Sequence, residues 1–147
     1  MPNSLTHLTF GRNFNQEVNK LPNSLTHLTF GYCFNKKIDI PFTIKYLKLN
    51  CNNLHIIDYL PDNIEELELG YYFNLELNNL PTSIKKITFY KNSCYNKELN
   101  CLPKFLECIQ LPRNYDKKLL NTSNNLKIIC STNYEYKNDY INQVKVY

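Results

Sequence analysis

Alanine and tryptophan are absent from this 147-residue sequence, and glycine occurs three times. Without alanine, the strongest helix former, a helix-rich protein is not expected. No Gly-rich phosphate loop can be found. No apolar run approaches the roughly 18–20 residues that a membrane helix needs, and patterned sequence begins at once, with no leader-like stretch ahead of it. The six cysteines, at 33, 51, 94, 101, 108 and 130, contain no C-x-x-C, which argues against zinc. Without an export signal they are expected to be reduced thiols of a cytosolic protein, small and buried or half-buried. The net charge of +4 is carried by scattered basic residues rather than a stripe, which argues against a nucleic-acid partner. Asn, Lys, Ile and Tyr fill the space instead, a bias of the kind AT-rich codons produce.

What the chain does have is repetition. PNSLTHLTFG stands at residues 2–11 and again at 22–31. Prolines at 2, 22, 41, 61, 81 and 103 keep a similar interval, with Ser123 in the next place. Apolar residues follow each at +3, +6 and +8: Leu5/Leu8/Phe10, Leu25/Leu28/Phe30, Ile44/Leu47/Leu49, Ile64/Leu67/Leu69, Ile84/Ile87/Phe89 and Leu106/Ile109/Leu111. A seventh unit keeps Leu126 and Ile129 but has Ser131 third; a degraded eighth set is Ile141/Val144/Val146. A period near twenty predicts a stacked array. Residues two apart share one face of a strand, so +6 and +8 point inward together while +3 turns in from the bend. Three inward side chains per coil are too few for a core alone and enough when coils stack.

L-x-x-L-x-L is the strand signature of leucine-rich repeats. Their turn position, eight residues after the first Leu, reads Asn13, Cys33, Asn52, Tyr72, Asn92 and Asn114, where a side-chain amide is expected to bond backbone. The back of each coil has six or seven residues, too few for a proper helix, and is expected to be extended, polyproline-like or one 3₁₀ turn. Those backs read "FNQEVNKLP", "FNKKIDIP", "FNLELNNLP" and "YNKELNCLP", with "YDKKLLNT" a looser copy. Together with P-x-S-I/L-x-x-L-x-F/L-G, they resemble the FNIP repeat, a leucine-rich-repeat-like family of amoebae and of giant viruses that infect them. The likeness spans residues 2–122; the third unit, "NLHIIDYLP", lacks the F-N pair. It implies a mainly β, right-handed leucine-rich-repeat-like solenoid: a parallel sheet on the concave side, an extended or 3₁₀ convex side, and about seven coils plus a C-terminal cap strand. The expected division is six repeats over 1–122, then a degenerate seventh repeat and cap over 123–147. The family's arrays often follow an F-box that recruits a ubiquitin-ligase core, which implies a substrate-holding role in the cytoplasm, the host's if the protein is viral. Phe14, Phe34, Phe73, Tyr95 and Tyr115 should stack as a second inward line. Asn15, Asn35, Asn74 and Asn96 should bond the next coil's backbone.

The residues alternating with the inward ones face out of the concave sheet, the usual binding surface of a solenoid. In coil order they are His7, Thr9, Gly11; His27, Thr29, Gly31; Tyr46, Lys48, Asn50; Glu66, Glu68, Gly70; Lys86, Thr88, Tyr90; Cys108, Gln110, Pro112; and Ile128, Cys130, Thr132. His7 and His27 are neighbours without a third metal ligand, and the duplicated decapeptide accounts for the pair. Glu66 and Glu68 share a face, as a general acid–base pair would, but Tyr46, Lys48 and Lys86 flank them, and a charge ladder on an open sheet is the simpler account. Cys108 and Cys130 lie close with no histidine in register to activate a thiol. No catalytic, cofactor or metal residue is assigned. The expected function is therefore protein binding through His7, His27, Tyr46, Lys48, Glu66, Glu68, Lys86 and Tyr90. The alternative is a homodimer formed through the N-terminal coil (Leu5, Leu8, Phe10, Phe14), whose consensus residues have no polar cap before them.

Overall fold

In the computed structural model, which describes residues 4–140 and 142–147, each coil contributes one short strand to a single sheet. The strands are β1 His7–Thr9, β2 His27–Phe30, β3 Tyr46–Leu49, β4 Glu66–Leu69, β5 Lys86–Phe89, β6 Cys108–Gln110, β7 Lys127–Cys130 and β8 Val144–Val146. Their spatial order is their sequence order, and every pairing is parallel. The chain is a β-solenoid.

The proline interval is a turn device. The +3 amide donates to the proline carbonyl at Leu25–Pro22, Ile44–Pro41, Ile64–Pro61, Ile84–Pro81 and Leu106–Pro103 (3.0–3.4 Å), and Leu126 donates to Ser123 at 3.1 Å. A second turn after the strand closes with Phe14, Phe34 and Phe73 donating to the carbonyls of Gly11, Gly31 and Gly70. These two bends swing the intervening side chains into one core. Leu25, Leu28, Ile44, Leu47, Ile64, Leu67, Ile84 and Ile87 are 0–1 % exposed.

The second inward line exists. Phe34, Phe73, Tyr95 and Tyr115 are buried, and Phe14, at the first coil, is half-buried. Rings of adjacent coils stack at 6.1 Å (Phe14–Phe34 and Phe73–Tyr95). Tyr134 extends the line, 6.2 Å from Tyr115. Coil three has no aromatic here. Its Asn53 caps a five-residue α-helix, α1 Leu54–Asp58, which turns Ile56 and Ile57 into the same space. The expectation of an extended, polyproline-like or 3₁₀ convex side therefore fails in that coil, where a short α-helical turn brings the adjacent Ile56 and Ile57 into the core together. A 3₁₀ segment, Glu135–Tyr140, precedes β8, and the other backs are extended or bent.

Unit seven corrects the register. One residue fewer separates Leu126 from its strand, and Ile109 pairs with Ile128 rather than with Ile129. A one-residue slip exchanges the faces of a strand. Ile128 and Cys130, expected outside, are fully buried, whereas Lys127 and Ile129 take the outer positions. Of the eighth set, Val144 and Val146 pair with Ile128 and Cys130; Ile141 lies outside the described residues.

The turn asparagines need a second correction. Asn13, Cys33, Asn52, Tyr72, Asn92 and Asn114 are all exposed. Among the described residues Asn52 alone of the six has its side chain bonded to neighbouring backbone, donating to the Tyr72 carbonyl at 3.0 Å and accepting from the Asn74 amide at 2.7 Å. In the F-N pairs, Asn15 accepts from the Asn35 amide and Asn96 from the Asp116 amide, at 3.0 and 3.1 Å. The cysteines are free, but Cys33, Cys94 and Cys101 are exposed rather than sheltered.

Candidate functional site

The parallel register sets the outer side chains of the sheet into two rows. One runs His7, His27, Tyr46, Glu66, Lys86, Cys108, Lys127. The other runs Thr9, Thr29, Lys48, Glu68, Thr88, Gln110, Ile129, Lys145. Strand neighbours stand about 4.8 Å apart, so each row is a line of touching side chains.

At the first coils one row is aromatic and the other is threonine. The His7 and His27 rings stack with centroids 4.0 Å apart and 14° between planes, and Tyr46 continues the stack at 5.5 Å. Each histidine Nδ1 is hydrogen-bonded at 2.9 Å to the preceding threonine hydroxyl, Thr6 or Thr26. Near-parallel rings point their lone pairs side by side, which does not suit two ligands converging on one ion. At the middle coils the rows are charged. Lys86 meets Glu66 at 2.9 Å, and Glu68 receives both the Lys48 ammonium, at 2.5 Å, and the Tyr46 hydroxyl. Half-burial pushes the Glu68 carboxyl up, but Lys48 and Tyr46 outweigh it and hold it below the ordinary value. Burial, reinforced by Glu68, pushes the Tyr46 phenol well above its usual range. A parallel ladder beside the rows runs from Lys45 to Glu65 (3.0 Å) to Lys85 (3.7 Å). The two outward carboxylates are thus each neutralised in place, an arrangement suited to complementary contact with another surface.

Two sequence-assigned positions lie elsewhere. Cys130 is in the core, where burial raises its thiol, so Cys108 faces Lys86 and Lys127 without it. Tyr90 follows the end of β5 and stands on the rim of the sheet, edge-on to Tyr71 at 6.0 Å. It belongs with Tyr32, Tyr71 and Tyr72, a cluster the strand periodicity did not reveal. Its signal was the aromatic directly after the turn glycine in "GYCF" and "GYYF". A polar ladder also went unread: Ser24 and Ser83 hydroxyls donate to the Leu5 and Ile64 carbonyls at 2.7 Å, and the Asn63 amide donates to the Ile44 carbonyl at 2.9 Å. It ties the second position after Pro22, Pro61 and Pro81 to the coil before.

A parallel solenoid with recurrent apolar inward residues and variable outward rows defines a leucine-rich-repeat-like protein. The FNIP Repeat model matches residues 1–33, 17–52, 34–72 and 52–92, together 92 of 147 residues. The chain belongs to the FNIP-repeat family. Among solved structures it is similar to CroV588 of a giant virus, whose structure is described as "a novel circular LRR protein structure". The identity is 36 %, the TM-score 0.74, and the match covers 91 % of this chain and 22 % of that one. The sequence thus spans about a fifth of that relative's length. The curated proteins contain no match. Among the described residues no helix is long and apolar enough to cross a membrane.

Proposed function

We propose that the chain is a non-catalytic protein-binding module whose partner lies on the concave sheet, across His7, His27, Tyr46, Lys48, Glu66, Glu68 and Lys86. The observation that carries this reading is the contrast between faces: inward positions repeat Leu, Ile and Phe, whereas beyond the duplicated first two coils the outward rows change chemistry from coil two to coil five. Selection for packing alone would leave those rows interchangeable. Membership of the FNIP-repeat family supports a narrower form of this proposal, in which the chain is the substrate-recognition part of a ubiquitin-ligase adaptor working in the cytoplasm. Partners captured from an amoebal lysate should be lost when Tyr46, Lys48, Glu66 and Lys86 are all changed to Ala. If every captured protein stays bound to that variant, the concave face is not the site.

A second reading has its own observation. Leu5, Leu8 and Phe14 are only half-buried beside β1, which among the described residues is an edge strand of the sheet, and Phe10 is buried with them. A second copy docking there would cover an apolar end and a strand edge at once. Light scattering that gives a monomer mass at every concentration eliminates this homodimer.

A further inference from the structure

A different surface carries a binding site of its own. The turns that follow the strands, residues 11–14, 31–34, 50–53, 70–73, 90–93, 112–115 and 131–134, form one rim of the solenoid. None of the chain's 13 acidic residues stands in them, whereas Arg12, Lys91 and Arg113 do. Lys137 reaches back to the same rim, donating to the Thr132 carbonyl. Tyr32, Tyr71, Tyr72 and Tyr90 are 43–48 % exposed on it, far more than rings serving a core. They form one cluster: Tyr32 packs on Tyr72 at 4.4 Å, Tyr72 on Tyr71 at 4.7 Å, and Tyr71 on Tyr90 at 6.0 Å. Tyr32 and Tyr72 belong to coils two and four. They meet because coil three places the buried Cys51 between them.

The wall of Tyr32, Tyr71 and Tyr72 bounds a cleft of about 360 Å³, floored by Thr29, Gly31 and Asn50, with Arg12 at its end. Its size is that of a small ligand-binding pocket. The guanidinium of Arg12 lies 5.8 Å from the Tyr32 ring centroid, so charge and aromatic wall are presented together. Tyrosine and arginine are the residues that dominate the energy of peptide and protein recognition.

We propose that this rim binds an acidic peptide segment, seating a proline or aromatic ring against Tyr32 and Tyr72 while carboxylates meet Arg12 on one side and Lys91 and Arg113 on the other. Charge selects the class: an acid-free rim with four cations repels basic chains and attracts acidic ones. Nucleic acid fits the spacing poorly. Arg12 and Lys91 are four coils apart, about 19 Å at strand spacing, and the stretch between them offers tyrosines in place of cations for the intervening phosphates. The rings also lean on one another rather than standing free for successive bases to stack.

The proposal stands apart from the concave-face reading, and one experiment separates them. A random dodecapeptide phage library is selected on the immobilised chain. The enriched peptides are then measured by fluorescence anisotropy beside a dodecamer of uridylate. Enriched sequences should carry Asp or Glu flanking a Pro or aromatic residue. Their affinity should fall at least tenfold in Arg12→Glu and in the double variant Tyr32→Ala, Tyr72→Ala, and stay unchanged in Tyr46→Ala, Lys86→Ala. Arg12 is exposed, so its variant keeps the fold and the loss reads as lost contact. Enrichment without acidic residues, unchanged binding by the rim variants, loss in the concave variant instead, or tighter binding of the oligonucleotide would each overturn the rim assignment.

Discussion

Gly11 and Gly31 close identical decapeptides, yet replacing them with alanine should give opposite results. A Cβ on Gly31 would lie 2.1 Å from the Gly11 carbonyl oxygen, 2.6 Å from its carbon and 2.9 Å from the Arg12 Cα. All three are backbone atoms and cannot swing aside, so coil one must lift by about 1 Å to restore ordinary contact. The lift strains the amide bonds from Cys33 to Arg12 and from Phe10 to Thr29, both 2.9 Å, and loosens the Phe10–Phe30 stack at 5.4 Å. Overpacking of this kind costs about 1–3 kcal/mol, and each kcal/mol lowers the melting midpoint of a domain this size by about 2–4 °C. Because stability in such arrays is shared between neighbours, hydrogen exchange should quicken first at the amides joining coils one and two. A Cβ on Gly11 meets nothing within 4 Å, and no glycine here has positive φ. Gly11→Ala should therefore be neutral or stabilising by up to about 1 kcal/mol, through the unfolded chain. Gly70→Ala falls between, since the atom at 2.1 Å is the Asn50 side-chain oxygen, which can rotate away if Asn50 gives up its bond to the Phe30 carbonyl. A Gly31→Ala protein that melts with the wild type, or a Gly11→Ala protein equally damaged, refutes the close coil contact.

The inward tyrosines make a second comparison. The Tyr95 hydroxyl is buried without a partner among the described residues, whereas Tyr115 and Tyr134 donate to the Lys97 and Lys117 carbonyls at 3.1 and 2.9 Å. In urea unfolding, Tyr95→Phe should gain about 1 kcal/mol, and Tyr115→Phe or Tyr134→Phe should lose about 0.5–1.5 kcal/mol; the reverse order would contradict the assignment. Burial raises the phenol ionisation of Tyr46, Tyr95, Tyr115, Tyr134 and Tyr140 above the unfolded value. The folded state therefore holds these protons longer, and stability present below about pH 10 should decline as the pH rises beyond it. A flat urea midpoint from pH 9 to 11.5 counts against it. Glu68 has the opposite sign. Burial opposes its charge, Lys48 and Tyr46 prevail, and its depressed ionisation contributes stability above the ordinary carboxyl value of 4.5 that is lost as pH falls through the folded value. Carbon NMR titration should show the Glu68 midpoint rising in Lys48→Ala; an unmoved midpoint dismisses the pairing.

The architecture was legible because it is local and repeated. Proline turns, the +3/+6/+8 apolar residues and the F-N backs recur often enough that each copy checks the others, and Leu28 and Leu67 sit in the core as the pattern requires. Unit seven departs from expectation for the same reason: a repeat pattern does not reveal the loss of one residue, and only pairing with β6 and β8 decides which face Ile128 and Cys130 take. The helix of coil three escaped because five residues carry too weak a local preference to announce themselves. Its place is settled by the space left where the neighbouring coils put Phe34 and Phe73.

For the candidate surfaces the division is similar. Alternation along each strand was sufficient to put Tyr46, Lys48, Glu66, Glu68 and Lys86 on one face, since side chains on a strand alternate by geometry. The rim was not readable in that way, because Tyr32 and Tyr72 are forty residues apart in the sequence and touch across coil three. Sequence alone determined that this chain coils and which residues face inward in the first six coils, since period and polarity are properties of neighbours along the chain. Tertiary structure decided the seventh register, the conflict at Gly31 and the tyrosine cleft, since each depends on how closely one coil settles on the next.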